Sequence, residues 1–242
     1  MRRSVVPLLL CVGVLTGCAA ERTPLPAPTL EPVARDTAGL VKALVSRADE
    51  QYSVRFDAET TMSGRRVRVD GGLLRAREGR LLTLREDAVD VVVVADAGYA
   101  RTNGGSWKRL NRADRAPLKS GSTVEGIVDE VDPRSVVASL RGALIVENAD
   151  ETVDGVPTRR YTMLVDLRSQ AEQTPELAHR AQLLAAYESG FTATAVVWVG
   201  PGNLPVRVEQ TMKTLEDNVF QRTVHRYADW NADIRVVAPA VG

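Results

Sequence analysis

The chain has 242 residues, with 31 basic and 31 acidic side chains and a formal net charge of zero. Such a balance gives no electrostatic footprint for nucleic acid and no polybasic grip on anionic lipid. The length allows one large domain, and only 5% of the residues are aromatic.

The first residues read as an export signal. Arg2 and Arg3 supply a positive start, and Val5 to Leu15 form an apolar run. That run is too short for a bilayer span, which needs about 20 residues. Leu15-Thr16-Gly17-Cys18 then resembles the bacterial lipobox: an aliphatic residue, two small ones and a cysteine. A lipid-modifying enzyme needs a thiol just beyond the apolar run, and the signal peptidase needs small side chains on the leaving side. The reading is a signal peptide over 1–17, removed to leave an acylated Cys18. The residues around Arg2-Arg3 do not otherwise fit twin-arginine export, so general secretion is expected.

Cysteine usage agrees. Of the two cysteines, Cys11 lies inside the signal, so Cys18 is the single mature thiol and no intramolecular disulfide can form. Each buried methylene of an acyl chain contributes roughly 0.8 kcal/mol, so two or three chains anchor firmly where one binds reversibly. The expected location is the extracytoplasmic face of the cell membrane. Residues 18–35 carry prolines at 24, 26, 28 and 32 and no hydrophobic pattern, which predicts a polyproline-like tether of roughly 50 Å at about 3.1 Å per residue. Removing Arg2 and Arg3 leaves 29 basic and 31 acidic residues, a net charge of −2. Nearly all the basic residues are arginine, which points to a GC-rich genome such as an actinobacterium's.

A single domain is expected over 36–242. Asp36 caps a helix whose Leu40, Val41, Leu44, Val45 and Ala48 recur at helical spacing. The period then becomes two. Val54, Phe56, Ala58, Thr60 and Met62 alternate with polar residues, and after Gly64 so do Val67, Val69, Gly71 and Leu73. Further strands are predicted at 80–85, 88–94, 98–102 and 107–110, the last two joined by the Asn103-Gly104 hairpin signal. Residues 111–125 read as a polar loop. Asp132-Pro133 opens a second helix through Val136, Val137, Leu140 and Leu144. Strands follow at 143–147 and 159–167, then a long helix from Thr174-Pro175. The C-terminal part is predicted as strands 191–199, 205–215, 219–230 and 234–237. About ten strands and three helices make an α+β fold: a strongly curved, mostly antiparallel sheet forming a half-barrel, with helices packed on the concave face.

Catalytic chemistry finds no constellation in this sequence. His179 lies on the long predicted helix, and His225 alternates with charged neighbours on a late strand, where surface or structural roles are the ordinary ones. Neither HExxH nor CxxC occurs, nor a G-x-S-x-G elbow, nor a phosphate loop, so no metal, cofactor or catalytic residue is assigned. Glu86-Asp87 and Glu216-Asp217 read as solvated turns. Trp107, Trp198 and Trp230 read as packing residues at strand ends.

Several segments resemble the mycobacterial LppX/LprG lipoprotein family, which shares its fold with the periplasmic carriers LolA and LolB. They are Tyr99-Ala100-Arg101 with Trp107-Lys108, Val153-Asp154-Gly155-Val156-Pro157-Thr158, Val196-Val197-Trp198-Val199, Leu204-Pro205-Val206-Arg207-Val208 and Tyr227-Ala228-Asp229-Trp230-Asn231. With the lipobox and the first helix they cover nearly the whole mature chain. The resemblance implies a bent antiparallel sheet and a cavity that accepts acyl chains of lipids or lipoglycans. It names no universal catalytic residue. Sparse aromatics and arginine-rich strands are the departures.

The apolar alternation supplies a candidate lining for such a cavity: Val54, Phe56, Val67, Val69, Leu82, Leu84, Val91, Val93, Leu140, Leu144, Tyr161, Met163 and Val197. Two readings follow. In one, the domain is a monomeric lipid or glycolipid carrier or presenter that works with an envelope transport protein. In the other, the same residues fill a core, and the domain is a tethered protein-interaction scaffold.

Overall fold

The computed structural model describes residues 29–77, 79–174 and 177–241, with the backbone alone at 177–179. The predicted signal peptide, Cys18 and the tether up to residue 28 lie outside the described residues. Helix α1 (Thr37–Asp49) is followed by strands β1 (Ser53–Met62), β2 (Arg65–Ala76), β3 (Gly79–Glu86), β4 (Val89–Val94), β5 (Ala97–Thr102) and β6 (Lys108–Asn111). Helices α2 (Val124–Val131) and α3 (Pro133–Ala138) lead into β7 (Leu144–Val153) and β8 (Val156–Val165). Helices α4 (Leu167–Gln173) and α5 (Leu177–Glu188) precede β9 (Thr192–Gly200), β10 (Leu204–Lys213) and β11 (Val219–Ala228).

All eleven strands join one antiparallel sheet in the order β6-β5-β4-β3-β2-β1-β11-β10-β9-β8-β7. Chain ends meet in the middle, where β1 pairs with β11 and Phe56 faces Tyr227. Every other pair joins strands consecutive in sequence, as hairpins except for β8 and β9, which α4 and α5 connect. The sheet is curved and unclosed, an α+β half-barrel as the strand periodicity predicted.

Alternation decides which face is buried. Val54, Phe56, Leu73, Leu82, Leu84, Val91, Val93, Tyr161, Met163, Val197 and Val208 point to the concave side, against Leu40, Val41 and Leu44 of α1, Ile127 and Val131 of α2, and Val136, Val137 and Leu140 of α3 and the turn that follows it. Each buried aliphatic side chain of this size contributes about 1.5–3 kcal/mol. Helix α1 is set by its Asp36 cap, whose Oδ1 accepts from the Gly39 N–H at 2.6 Å. Gly98 lets α2 approach, since a Cβ there would meet the Val124 side chain at 2.7 Å.

The convex face carries a charged lattice. Asp57 takes Arg68 and Arg226, Glu209 takes Arg207 and Arg222, and Asp90 takes Arg85 and Arg101. Arginine stems also cover indoles: the Arg101 guanidinium lies 4.7 Å from the Trp107 ring centre and that of Arg207 4.5 Å from Trp198. These tryptophans pack against the convex surface.

Four expectations need correction. Helix α2 replaces the end of the expected polar loop. Thr123 caps it, its Oγ1 accepting from the Gly126 N–H at 3.1 Å, and Val124, Ile127, Val128 and Val131 form its buried stripe. Gly126 sits in its first turn, where a missing side chain costs little. Leu144 is not on the second helix: α3 stops at Ala138, Gly142 turns the chain at φ 82°, and Leu144 opens β7 with 63% exposure. The helix expected from Thr174-Pro175 is α5, but a further helix that was not expected, α4, precedes it, capped by Asp166, which accepts from the Arg168 and Ser169 N–H groups. Residues 234–237 form no strand. Instead Ile234 seats on β2 at Gly72, where a Cβ would come within 2.9 Å of Ile234 Cγ2.

Candidate functional site: the concave face and its open end

The concave side is not uniformly covered. Register places Val54, Phe56, Tyr227, Val208 and Val197 toward the end of the sheet that holds the β9–β10 turn, under α1 and α3, where all are buried. Along the same strands toward the other end, Thr60, Val67, Gln210, Met212, Gln221 and Thr223 are half-buried, and Met62 and Val219 are exposed. One end is therefore roofed by α1 to α3; at the other, the open end, α4 and α5 cover only the side of the floor that holds Ala193 and Met212.

Of the candidate lining residues, Val54, Phe56, Leu82, Leu84, Val91, Val93, Leu140, Tyr161, Met163 and Val197 converge on the roofed chamber. Val67 and Val69 lie on the same face nearer the open end and are half-buried. Leu144 is elsewhere, at the surface. The chamber itself is packed. A cleft of about 20 Å³ lies beside it, lined by Gln51, Ser53, Asp132, Arg80, Arg134, Trp230 and others. That is room for about one water, whereas a drug-sized ligand needs roughly 300 Å³.

Two polar features of this region have surroundings that the sequence did not disclose. The first is Asp132, wholly buried at the α2–α3 junction. Its carboxylate accepts from Arg134 Nη2 at 2.5 Å, Arg134 Nε at 3.0 Å, the Arg134 N–H at 2.9 Å and Arg80 Nη1 at 3.1 Å. Burial alone pushes its pKa up, but the Arg134 and Arg80 contacts outweigh burial and hold it below the ordinary carboxylate value. Arg134 also reaches Asp49 at 3.1 Å, so the ion pairs tie α3 to the end of α1.

The second is a line of aromatic rings on the chamber floor: His225, Tyr227 and Trp230, with successive centroids 6.2 Å apart. His225 Nδ1, Tyr227 Oη and Trp230 Nε1 are buried without a hydrogen-bond partner among the described residues. Desolvation pushes His225 down to about 4 and Tyr227 well above its usual value, the latter reinforced by the Asp132 charge. His225 is thus neither a surface nor a satisfied residue. Its position opposite Ala58 in the β1–β11 register was the available signal, masked in sequence by charged residues that belong to the opposite face. Glu86 also departs from expectation, being buried with Oε1 accepting the Lys119 N–H at 2.9 Å. The side chain of His179 lies outside the description.

Among the described residues no group of three or more His, Cys, Asp or Glu is arranged to hold a metal ion, and no helix is long and apolar enough to cross a membrane. The N-terminal segment docks beside the chamber: the Ala34 N–H donates to Tyr161 Oη at 3.0 Å, and Arg159 Nη1 donates to the Glu31 carbonyl at 2.6 Å.

No family model and no curated relative matches this sequence. Solved structures do. The Mycobacterium tuberculosis lipoprotein LppX superposes with a TM-score of 0.51 at 12% identity, over 83% of this chain and 98% of that one. LprF from Mycobacterium bovis superposes with a TM-score of 0.54 at 15% identity, over 84% and 97%. Nearly the full length of each neighbour is matched: this chain has the fold of the LppX and LprF lipoproteins.

Proposed function

We propose that the chain is an envelope lipoprotein, acylated at Cys18 on the extracytoplasmic face of the cell membrane. In this reading its half-barrel binds the acyl chains of a lipid or glycolipid between sheet and helices, for transport or presentation. One observation carries the reading. Apolar side chains from strands on both sides of the β1–β11 seam converge on one concave cluster, which is roofed by short helices joined through turns, α2 and α3 being 8 and 6 residues long. A second sheet would close such a face for good, whereas short helices can be displaced. The packed chamber is then the unloaded state. Ligand chains replace helix side chains against the sheet, offsetting the roughly 25 cal/mol per Å² lost when the roof lifts. The residues proposed to meet the chains are Val54, Phe56, Leu82, Leu84, Val91, Val93, Leu140, Tyr161, Met163 and Val197, with Val67 and Val69 nearer the opening. Binding rather than catalysis is the proposed activity.

The test is native mass spectrometry of the mature Cys18→Ser chain from a lipid-rich actinobacterial host, beside an organic extract. A discrete diacyl or triacyl species supports the reading, and its headgroup names the pathway. A clean apo mass that persists after incubation with mixed envelope lipids overturns it. The filled interior favours, in that event, the second reading: a tethered scaffold that contacts another envelope protein through its convex face or loops. Its signature is a pulled-down partner whose binding survives Val197→Phe and Leu140→Phe.

A further inference from the structure

Half of the twelve exposed large apolar side chains among the described residues gather at one end of the sheet. Register gathers Met62, Leu144, Leu164 and Val219 at the open end of the half-barrel, where Leu215 of the β10–β11 turn meets Gly190, just beyond Tyr187 of α5; all six are between 47% and 79% exposed. Met62 and Leu215 flank the β1–β2 and β10–β11 turns, Tyr187 ends α5, and Leu144 pairs with Leu164 where β7 and β8 begin and finish. The others among the described residues are Val33, Tyr52, Val146, Val156, Val237 and Val241; of these Tyr52 and Val156 lie at the roofed end, and the Tyr52 hydroxyl is bonded to the Asn231 carbonyl. Apolar side chains on separate turn tips suit insertion into a soft interface better than docking on a flat protein surface.

The chain between Cys18 and the described residues says which interface. The N-terminal segment leaves along Arg159, which pairs with Val199 beside the β9–β10 turn, so it departs at the roofed end. From Cys18 to Thr29 is eleven residues, a reach of about 34 Å at about 3.1 Å per residue. A ten-residue strand such as β1 spans about 33 Å. A tether rooted at one end is therefore just long enough to run back along the sheet and bring the opposite end onto the membrane that holds the anchor. We propose that this open-end rim seats on the lipid bilayer, so that the half-buried concave floor behind Met62 and Val219 faces the source of acyl chains. The proposal rests on the reading of Cys18 as the lipid anchor. Rim charge is mixed, with Lys213 holding Asp217 at 2.8 Å and Glu59 lying 3.4 Å from Arg66, so apolar insertion rather than charge drives the contact.

The experiment uses the mature chain with Cys18→Ser, which has no anchor, sedimented with phosphatidylcholine vesicles. Binding should change little between low and high salt. Met62→Asp with Leu215→Asp should weaken it about tenfold or more, while Val156→Asp at the roofed end leaves it unchanged. Both rim side chains are exposed, so an unaltered thermal midpoint certifies folding. Undiminished binding by the rim variant overturns the proposal, as does no binding at any lipid concentration or binding only when envelope proteins are present. Native mass spectrometry of the same samples separates this from the ligand reading. An apo chain that still needs the rim for vesicles leaves the rim proposal standing while the ligand reading falls. A lipid-loaded chain indifferent to the rim does the reverse.

Discussion

The His225 ring lies parallel to the Tyr227 ring, 5° between planes and 6.2 Å between centroids, and the polar atom each buries has no partner among the described residues. Two polar groups sit two residues apart on the chamber floor because strand alternation sends 225 and 227 to the same side. Their burial has measurable consequences.

Stability should fall as pH drops from 7 to 5. His225 titrates near 4 when folded, against 6.5 for the free side chain. Between those values the unfolded chain binds a proton that the folded chain refuses, so unfolding is favoured as pH falls. The loss is roughly 2 kcal/mol by pH 5, and most carboxylates add little above that pH. Urea unfolding at the two pH values checks this. A His225→Phe chain should show a flat response over the same window, and equal slopes for both proteins would refute the assignment.

Tyr227→Phe should be neutral or raise stability by about 1 kcal/mol, because it removes a buried hydroxyl that makes no hydrogen bond. A loss of 2 kcal/mol or more in urea would mean that the hydroxyl has a partner in solution. Repeating the melt on lipid-loaded protein then shows whether that partner is the ligand.

Asp132→Ala should cost about 3–5 kcal/mol. It strips the shared carboxylate from Arg80 and Arg134 and removes the α3 cap together. Asp132→Asn keeps the cap and should recover part of the loss. Thermal unfolding of the pair gives the ordering, which would be wrong if alanine were the milder change.

Gly72→Val should release the C-terminal segment, since the space a Cβ would take is held by Ile234. Proteolysis just after Trp230 should accelerate, with a stability loss of about 1–3 kcal/mol from overpacking. Adding Ile234→Ala should restore room and reduce the penalty of the glycine change. Strictly additive losses would show that the two positions do not touch.

Much of this architecture was legible from local pattern. The Asp36 cap, the two-residue alternation of 54–62 and 67–73, the Asn103-Gly104 and Asp154-Gly155 turns and the Thr192–Gly200 run each carry their conformation in a few neighbouring residues. Because antiparallel hairpins pair neighbours, those local signals also dictate most of the sheet, and the inward face of Val54, Phe56, Leu82, Leu84, Val91 and Val93 follows from alternation. What depends on contacts far apart in sequence was decided only by the tertiary structure. The β1–β11 seam joins residues about 170 apart, and it is this seam that buries His225 and sets Phe56 against Tyr227. Leu144 leaves the helix because Gly142 turns at positive φ, and Ile234 gives up a strand for a slot that Gly72 opens from across the sheet. The roofed and open ends have the same origin. Every strand alternates alike along its length, so only where the helices come to rest determines which parts of the concave face are shielded from water.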